Sequence, residues 1–345
     1  MLNEATRNWR QALELPTPVD VVRQFLVDPR RRPELSPPEW ELTLIDGPSI
    51  LALGSTLRWR LRRAGLTQHL VTEITCLEPN RIVEAQRQGP LGRWIHTTRF
   101  EPTDIGTRVI DEIDFAPPGG LLGLALTAAR IEADLAASFA VRDRRLRRLF
   151  PRVAGIVLCG GESRRMGRSK AWLPLGDELL LPRIARLVGM EATPVIVVAA
   201  VGQELPPLPE GGILVRDEHP GRGPLQGIAT GLRSLVGQAE AAYVSACDAP
   251  FLQPGWIRRL ASLLGDHEIC VPTLGDHRHP LSSLYRIEVL ETIDRMLSED
   301  RRRVVDLLDL VSTRFVVASE LRDIDPESES VRNLNSPDDL TGVSP

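Results

Sequence analysis

Two hydrophobic rhythms run along the chain, and they change over at Pro151. Before it, apolar and polar residues alternate in short segments parted by turn residues. Arg58-Trp59-Arg60-Leu61-Arg62 shows the period of two expected of an antiparallel strand with one face in water. The same reading predicts strands at 9–15, 41–45, 56–63, 68–77, 81–88, 94–101 and 107–115. Pro16-Thr17-Pro18 opens a helix over 19–27, because a proline's missing N–H is unpaired in a first turn anyway. A Pro-rich basic loop covers 29–38, and Pro117-Pro118-Gly119-Gly120 breaks the sheet. Leu124, Ala128, Ile131, Leu135, Phe139, Leu146 and Leu149 then recur at helical spacing in one long amphipathic helix.

After Pro151 the apolar stretches become continuous, at 153–158, 194–201, 212–215, 242–246, 268–272 and 313–317. Such runs mark strands buried on both faces of a parallel sheet. Helical segments separate them at 182–188, 224–235, 255–264, 287–297 and 303–310. Strand and helix in alternation predict an α/β domain with right-handed crossovers and a ligand at the carboxyl ends of the strands. Two domains are therefore expected, 1–150 and 151–345, in line with roughly one domain per 150 residues.

Composition narrows the function classes. With 42% hydrophobic and 26% charged residues the chain reads as a soluble globular protein. No apolar run approaches the roughly 18 residues of a membrane helix, and the N-terminus lacks a basic-then-apolar leader. A cytoplasmic location without membrane contact is expected. Cys76, Cys159, Cys247 and Cys270 are too scattered for a zinc site or a disulfide framework, so they read as reduced thiols. The net charge of -4 divides into +2 for residues 1–150 and -6 for 151–345, and neither half has the basic excess of a nucleic-acid binder. The arginines of 142–148 read as cations that offset a helix dipole at a domain boundary. Of 42 basic residues, Lys170 alone is lysine. A chain that otherwise writes Arg keeps a lysine where a compact ammonium serves better than a planar guanidinium.

That lysine closes a loop directly after the first buried strand: Leu158-Cys159-Gly160-Gly161-Glu162-Ser163-Arg164-Arg165-Met166-Gly167-Arg168-Ser169-Lys170. Glycines let backbone N–H groups turn inward around an anion, and Arg165 and Lys170 can neutralise a triphosphate. The spacing is neither a Walker loop nor a dinucleotide fingerprint. Asp248 ends the apolar strand of Tyr243-Val244-Ser245-Ala246-Cys247-Asp248-Ala249-Pro250, where a carboxylate facing phosphates is a natural Mg²⁺ partner. Asp217 is a second strand-end acid, before Gly221-Arg222-Gly223-Pro224-Leu225.

These residues resemble the molybdenum cofactor guanylyltransferases, whose loop reads Leu-Ala-Gly-Gly-x-Ser-x-Arg-Met-Gly-x-Asp-Lys. Leu158, Gly160, Gly161, Ser163, Arg165, Met166, Gly167 and Lys170 fit it. The resemblance runs on through Asp217, Gly223 to Gly227, Cys247-Asp248-x-Pro250, His279-Pro280-Leu281 and Asn333-Leu334-Asn335-Ser336-Pro337-Asp338-Asp339-Leu340. It implies a Rossmann-like nucleotidyltransferase fold over about 152–341. It also implies transfer of GMP from GTP to the terminal phosphate of molybdopterin, with release of pyrophosphate. Nucleotide binding then falls to Leu158, Cys159, Gly160, Gly161, Ser163, Lys170, Asp217 and Asp248, and catalysis to Arg165, Lys170 and Asp248. Asp248 holds Mg²⁺, and His279, Asn333 and Asn335 lie towards the pterin. Ser169 replaces the usual Asp, and Ala199-Ala200-Val201-Gly202 lacks an Asn that often contacts the nucleotide, so the phosphate site is better specified than the base site. His277-Arg278-His279 reads as loop histidines near substrate, with no third metal ligand in reach. CMP transfer to the same cofactor, or transfer to another phosphate acceptor, stays open.

Residues 5–150 resemble, by element order alone, the START-like and polyketide-cyclase-like helix-grip superfamily: an α+β unit with an antiparallel sheet around a long C-terminal helix. That resemblance implies an apolar small ligand for this domain. It leaves a second reading open, a hydrophobic-ligand carrier with a nucleotide-sensing C-terminal half. Molybdoenzymes or other cofactor-synthesis proteins are the protein partners a guanylyltransferase implies.

Overall fold

The computed structural model describes residues 6–120, 124, 126–159, 169–217, 219 and 221–334. The chain folds into two compact units, Met1–Phe150 and Pro151–Pro345. Among the described residues no helix is long and apolar enough to cross a membrane.

The first unit opens with strand β1 (Arg7–Leu15), helix α1 (Val19–Leu26) and a short helix α2 (Arg32–Leu35). Six strands follow: β2 (Leu42–Asp46), β3 (Thr56–Arg63), β4 (Leu66–Glu78), β5 (Arg81–Gln88), β6 (Arg93–Thr103) and β7 (Gly106–Ala116). Consecutive hairpins order them β1-β7-β6-β5-β4-β3-β2, and every pairing is antiparallel. Alternation in β3 buries Leu57 and Trp59 and leaves Thr56, Arg58 and Arg60 in water, as its period of two requires. The long helix α3 (Ala128–Leu149) starts where the Thr127 hydroxyl accepts from the Arg130 N–H. It lays Ile131 and Phe139 against Ile113 and Phe115, and Leu146 among Leu13, Leu15 and Val109. Trp9 on β1 meets Phe139 with ring centroids 4.6 Å apart. This is the helix-grip arrangement. One arginine departs from its sequence reading. Arg142 is partly buried and ion-paired with the buried Asp111 of β7, instead of serving the helix end as a solvated cation. The pairing is long-range, so the local charge run hides it.

The second unit is built on β8 (Val153–Leu158), whose residues 154–158 are all buried. A two-residue hairpin, β9 (Pro174–Leu175) and β10 (Glu178–Leu179), leads into α4 (Leu180–Gly189). Then come β11 (Val195–Ala200), β12 (Gly212–Asp217), α5 (Pro224–Ser234), β13 (Ala241–Ala246), α6 (Trp256–Leu264) and β14 (Ile269–Leu274). The chain continues through β15 (His277–Arg278), β16 (Ser282–Arg286), α7 (Leu290–Ser298), α8 (Val304–Leu307) and β17 (Thr313–Val317). The sheet order is β12-β11-β8-β13-β16-β14-β15, with β17 on β14. β12, β11, β8 and β13 run parallel, as does β17 on β14, whereas β16 is antiparallel to both neighbours. Helices cover both faces. α4 and α6 pack on one core with Leu181, Ile184, Trp256 and Leu260, and α5, α7 and α8 on the other with Ile228, Ile293 and Leu307. Gly231 lets α5 ride close over β8, since a Cβ there would lie 2.8 Å from Ile156 side-chain atoms.

Candidate functional site

The carboxyl edge of the second sheet gathers the chemistry. Beyond the end of β8, the Cys159 N–H donates to the Val198 carbonyl at 2.8 Å, and the Cys247 N–H donates to the Leu158 carbonyl at 3.1 Å. Hydrogen bonding to Cys159, together with burial, pushes the Cys247 thiol well above its ordinary value, so it stays protonated.

Lys170 stands in a turn of 3-10 helix, Lys170–Trp172, held from behind by the fully buried Ala171. Its Nζ donates to Asp248 Oδ2 at 2.6 Å and to the Leu334 carbonyl at 2.9 Å. The Leu334 N–H in turn donates to the Asp248 carbonyl at 2.8 Å. Leu334 is buried against Leu175 and Leu180, with Leu173 and Phe251 packed around them. The Arg332 guanidinium lies 5.1 Å over the Phe251 ring. Three distant stretches of chain are thus locked around one ammonium. Asp248 Oδ1 accepts no hydrogen bond from the described residues.

Asp217 closes β12 at the edge of the sheet, and its Oδ1 accepts from the His219 N–H at 3.0 Å. Asp217 pairs with Ala200, Val198 with Leu158, and Leu158 with Ala246. The strands that Asp217 ends and Asp248 follows, β12 and β13, are therefore three strand intervals apart. At 4.7–4.9 Å per interval the two strands are about 14 Å apart. Among the described residues no three His, Cys, Asp or Glu side chains cluster to hold a metal.

His279 precedes β16, whose Ser282 pairs with Ser245 near the end of β13, so it sits at the same sheet edge on the antiparallel side. Its carbonyl accepts from the Ser282 N–H at 3.0 Å and the Ser283 hydroxyl at 2.6 Å. Its Nε2 is buried without a partner, and burial and His277 lower its pKa, so it is neutral. Asn333 is exposed, next to the Leu334 that Lys170 grips. Gly160, Gly161, Ser163, Arg165 and Asn335 lie outside the described residues.

Two contributors carry no signal in the sequence. Leu334 acts through its backbone carbonyl, which any residue type provides. Gln203 follows β11 and binds the root of the glycine loop. Its Nε2 donates to the Cys159 carbonyl at 2.8 Å, and its Oε1 accepts from the Ala200 N–H at 3.2 Å. Arg216 braces the same turn, donating to the Ala200 and Gln203 carbonyls, both at 2.8 Å.

A mostly parallel sheet with a lone ammonium beside an edge aspartate has the build of a nucleotidyltransferase, and residues 155–312 match the family model described as MobA-like NTP transferase domain. Residues 8–147 match the model described as polyketide cyclase / dehydrase and lipid transport. A probable molybdenum cofactor guanylyltransferase of Mycobacterium avium (strain 104) is 38% identical over 197 residues, 56% of this chain and 95% of its own. Its counterpart in Mycobacterium tuberculosis (strain ATCC 25618 / H37Rv) is 37% identical over 189 residues, 53% of this chain and 89% of its own. Through its second unit, the chain belongs to the molybdenum cofactor guanylyltransferase family. The solved molybdopterin-guanine dinucleotide biosynthesis protein A of Archaeoglobus fulgidus is 23% identical, covers 55% of this chain and 95% of its own, and has a TM-score of 0.46.

Proposed function

We propose that the second unit transfers GMP from GTP to the terminal phosphate of molybdopterin, giving molybdopterin guanine dinucleotide and pyrophosphate. The observation that carries this reading is the convergence of Lys170, Asp248 and Leu334 at the carboxyl edge of β8 and β13. A phosphate nucleophile is already anionic near neutral pH, so the reaction asks for positioning and charge neutralisation more than for a general base. Lys170 supplies the charge. Its ammonium is partly exposed and can exchange the Asp248 carboxylate for a phosphate oxygen. Asp248 is the residue that would hold magnesium, because its Oδ1 takes no hydrogen bond from the described residues and magnesium takes one or two carboxylates with the rest from phosphate and water. An ion held there would supply neutralising charge for the pyrophosphate leaving group. Asp217, about 14 Å along the edge, is left to the nucleotide. His279, before β16, and the exposed Asn333, beside the Leu334 that Lys170 grips, are the residues left for the acceptor.

The test is pyrophosphate release by the purified chain with molybdopterin, Mg²⁺ and either GTP or CTP. Release with GTP alone supports the proposal, and release with CTP alone reassigns the donor. No release with any nucleotide or acceptor rejects transfer in favour of a nucleotide sensor. Thermal shift gives an independent reading, since a nucleotide at 100 times its dissociation constant adds about 2.7 kcal/mol.

A further inference from the structure

The first unit encloses a cavity of about 610 Å³, within the range of pockets that hold a small organic molecule. Its walls are mainly apolar, with Trp40, Trp59, Trp94 and Phe139 among the lining residues. The acidic side chains that line it are each paired with an arginine of the same wall. Arg32 meets Glu84 at 2.5 Å and Arg63 grips Asp134 with bonds of 2.7 and 2.8 Å, while the lining Arg142 is paired with Asp111 behind the wall. The remaining lining charge, Arg130, is on an exposed residue. The enclosed wall thus presents matched pairs, and suits a neutral ligand better than an ion.

One lining side chain is set up differently. His96 Nε2 lies 2.8 Å from Asp111 Oδ1, which also accepts from the Thr98 hydroxyl at 2.9 Å. Burial alone would raise the Asp111 pKa. The Arg142 charge and the His96 hydrogen bond outweigh it and hold the carboxyl well below the usual range, so Asp111 is an anion. An anion opposite Nε2 requires the proton on Nε2. With Nε2 turned to that carboxylate, Nδ1 is the one ring nitrogen left to accept a hydrogen bond. It has no partner among the described residues and is not a buried atom, on a ring that lines the cavity between Trp94 and Phe139.

We infer that the first unit binds a neutral, largely apolar ring compound carrying a hydroxyl group, and that His96 Nδ1 accepts the hydroxyl proton as a hydrogen bond. Arg142, Asp111 and Thr98 act as positioning residues that fix the imidazole tautomer. The proposal concerns specificity: a purely apolar pocket ranks ligands by hydrophobicity and prefers the compound lacking the hydroxyl.

The experiment uses the full chain with two fluorescent probes of one shape, naphthalene and 2-naphthol. The expected result is that 2-naphthol binds at least tenfold more tightly, against the hydrophobic order. His96→Phe should abolish that preference and keep naphthalene binding. Leu135→Trp, which fills the cavity, should weaken both probes. His96→Leu repeats the test if the phenylalanine variant does not fold. Equal binding of the two probes, tighter binding of naphthalene, an unchanged preference in the His96 variants, or no binding of either probe overturns the inference.

Discussion

The Lys170 ammonium and the Leu334 carbonyl lie 2.9 Å apart, although 164 residues separate them in the sequence. The same ammonium holds Asp248, so one side chain ties the loop after β8, the end of β13 and the C-terminal segment into a single site. Replacing Lys170 with Ala removes the charge and both bonds. Turnover should fall by about 10²–10³, the usual cost of losing one preorganised electrostatic contact to the transition state. Lys170→Arg should restore little, because a planar guanidinium does not reproduce a point charge shared between a carboxylate and a carbonyl. Pyrophosphate release under saturating substrates measures both, and near-normal turnover of the alanine variant would rule out the assigned role.

Asp248→Asn keeps the shape of the side chain and removes its charge. The Mg²⁺ concentration for half-maximal pyrophosphate release should rise by tenfold or more, while Asp217→Asn should leave that midpoint alone and raise the KM for nucleotide. A Mg²⁺ midpoint that moves equally in both variants would contradict the separation of their tasks along the sheet edge.

Leu334→Ala cuts an apolar anchor without touching any charged group. Truncating a buried leucine costs about 2–5 kcal/mol where the surroundings cannot collapse, and here that loss is confined to the small cluster with Leu175 and Leu180. Amide exchange at Leu334, whose N–H is bonded to Asp248, should accelerate, and turnover should fall with little change in the global melting temperature. Unaltered exchange there would mean that the cluster does not hold the segment.

Gly231→Ala sets two effects against each other. A helical alanine gains up to about 1 kcal/mol over glycine. Its Cβ would press into Ile156 at 2.8 Å, and overpacking costs about 1–3 kcal/mol. The clash should win, lowering the melting temperature of the second unit by a few degrees, at roughly 2–4 °C per kcal/mol. A calorimetric scan showing a rise would mean that α5 can shift outward.

Asp111 makes the first unit sensitive to acid. Its folded-state pKa is depressed, so its contribution is complete above the unfolded-state value of about 3.9 and is lost as pH falls through the folded value. Asp143 works in the opposite sense, because burial raises its pKa and protonation relieves that penalty. Thermal unfolding between pH 7 and 3 should show a flatter acid limb in Asp111→Asn than in the wild type. At pH 7 the variant should be less stable by about 1.5–3 kcal/mol, since the partly buried Arg142 loses a charged hydrogen-bond partner.

What the sequence reveals and conceals follows from the kind of interaction involved. β8 and β3 are legible to the residue because one is a continuous apolar run and the other alternates strictly. β16 is not, because Ser282-Ser283-Leu284-Tyr285-Arg286 follows neither pattern while every residue is buried. Its polar groups are satisfied by distant backbone: the Tyr285 hydroxyl donates to Pro280, and the Arg286 guanidinium to His267 and Gly265. In the site, Lys170 and Asp248 are conspicuous by residue type. Leu334 and Gln203 are invisible because each acts with backbone, which leaves no compositional trace. Arg142 misleads for a related reason, having its partner on another element.

The three strand intervals between β12 and β13 turn the sheet edge into a measuring stick. Inorganic phosphate is too short to touch both ends. A ligand that reaches from Asp217 to Asp248 must extend past the ends of β11 and β8, and the glycine loop begins after β8. Length, set by the spacing of hydrogen-bonded backbones, is therefore a criterion of selection that no single side chain encodes.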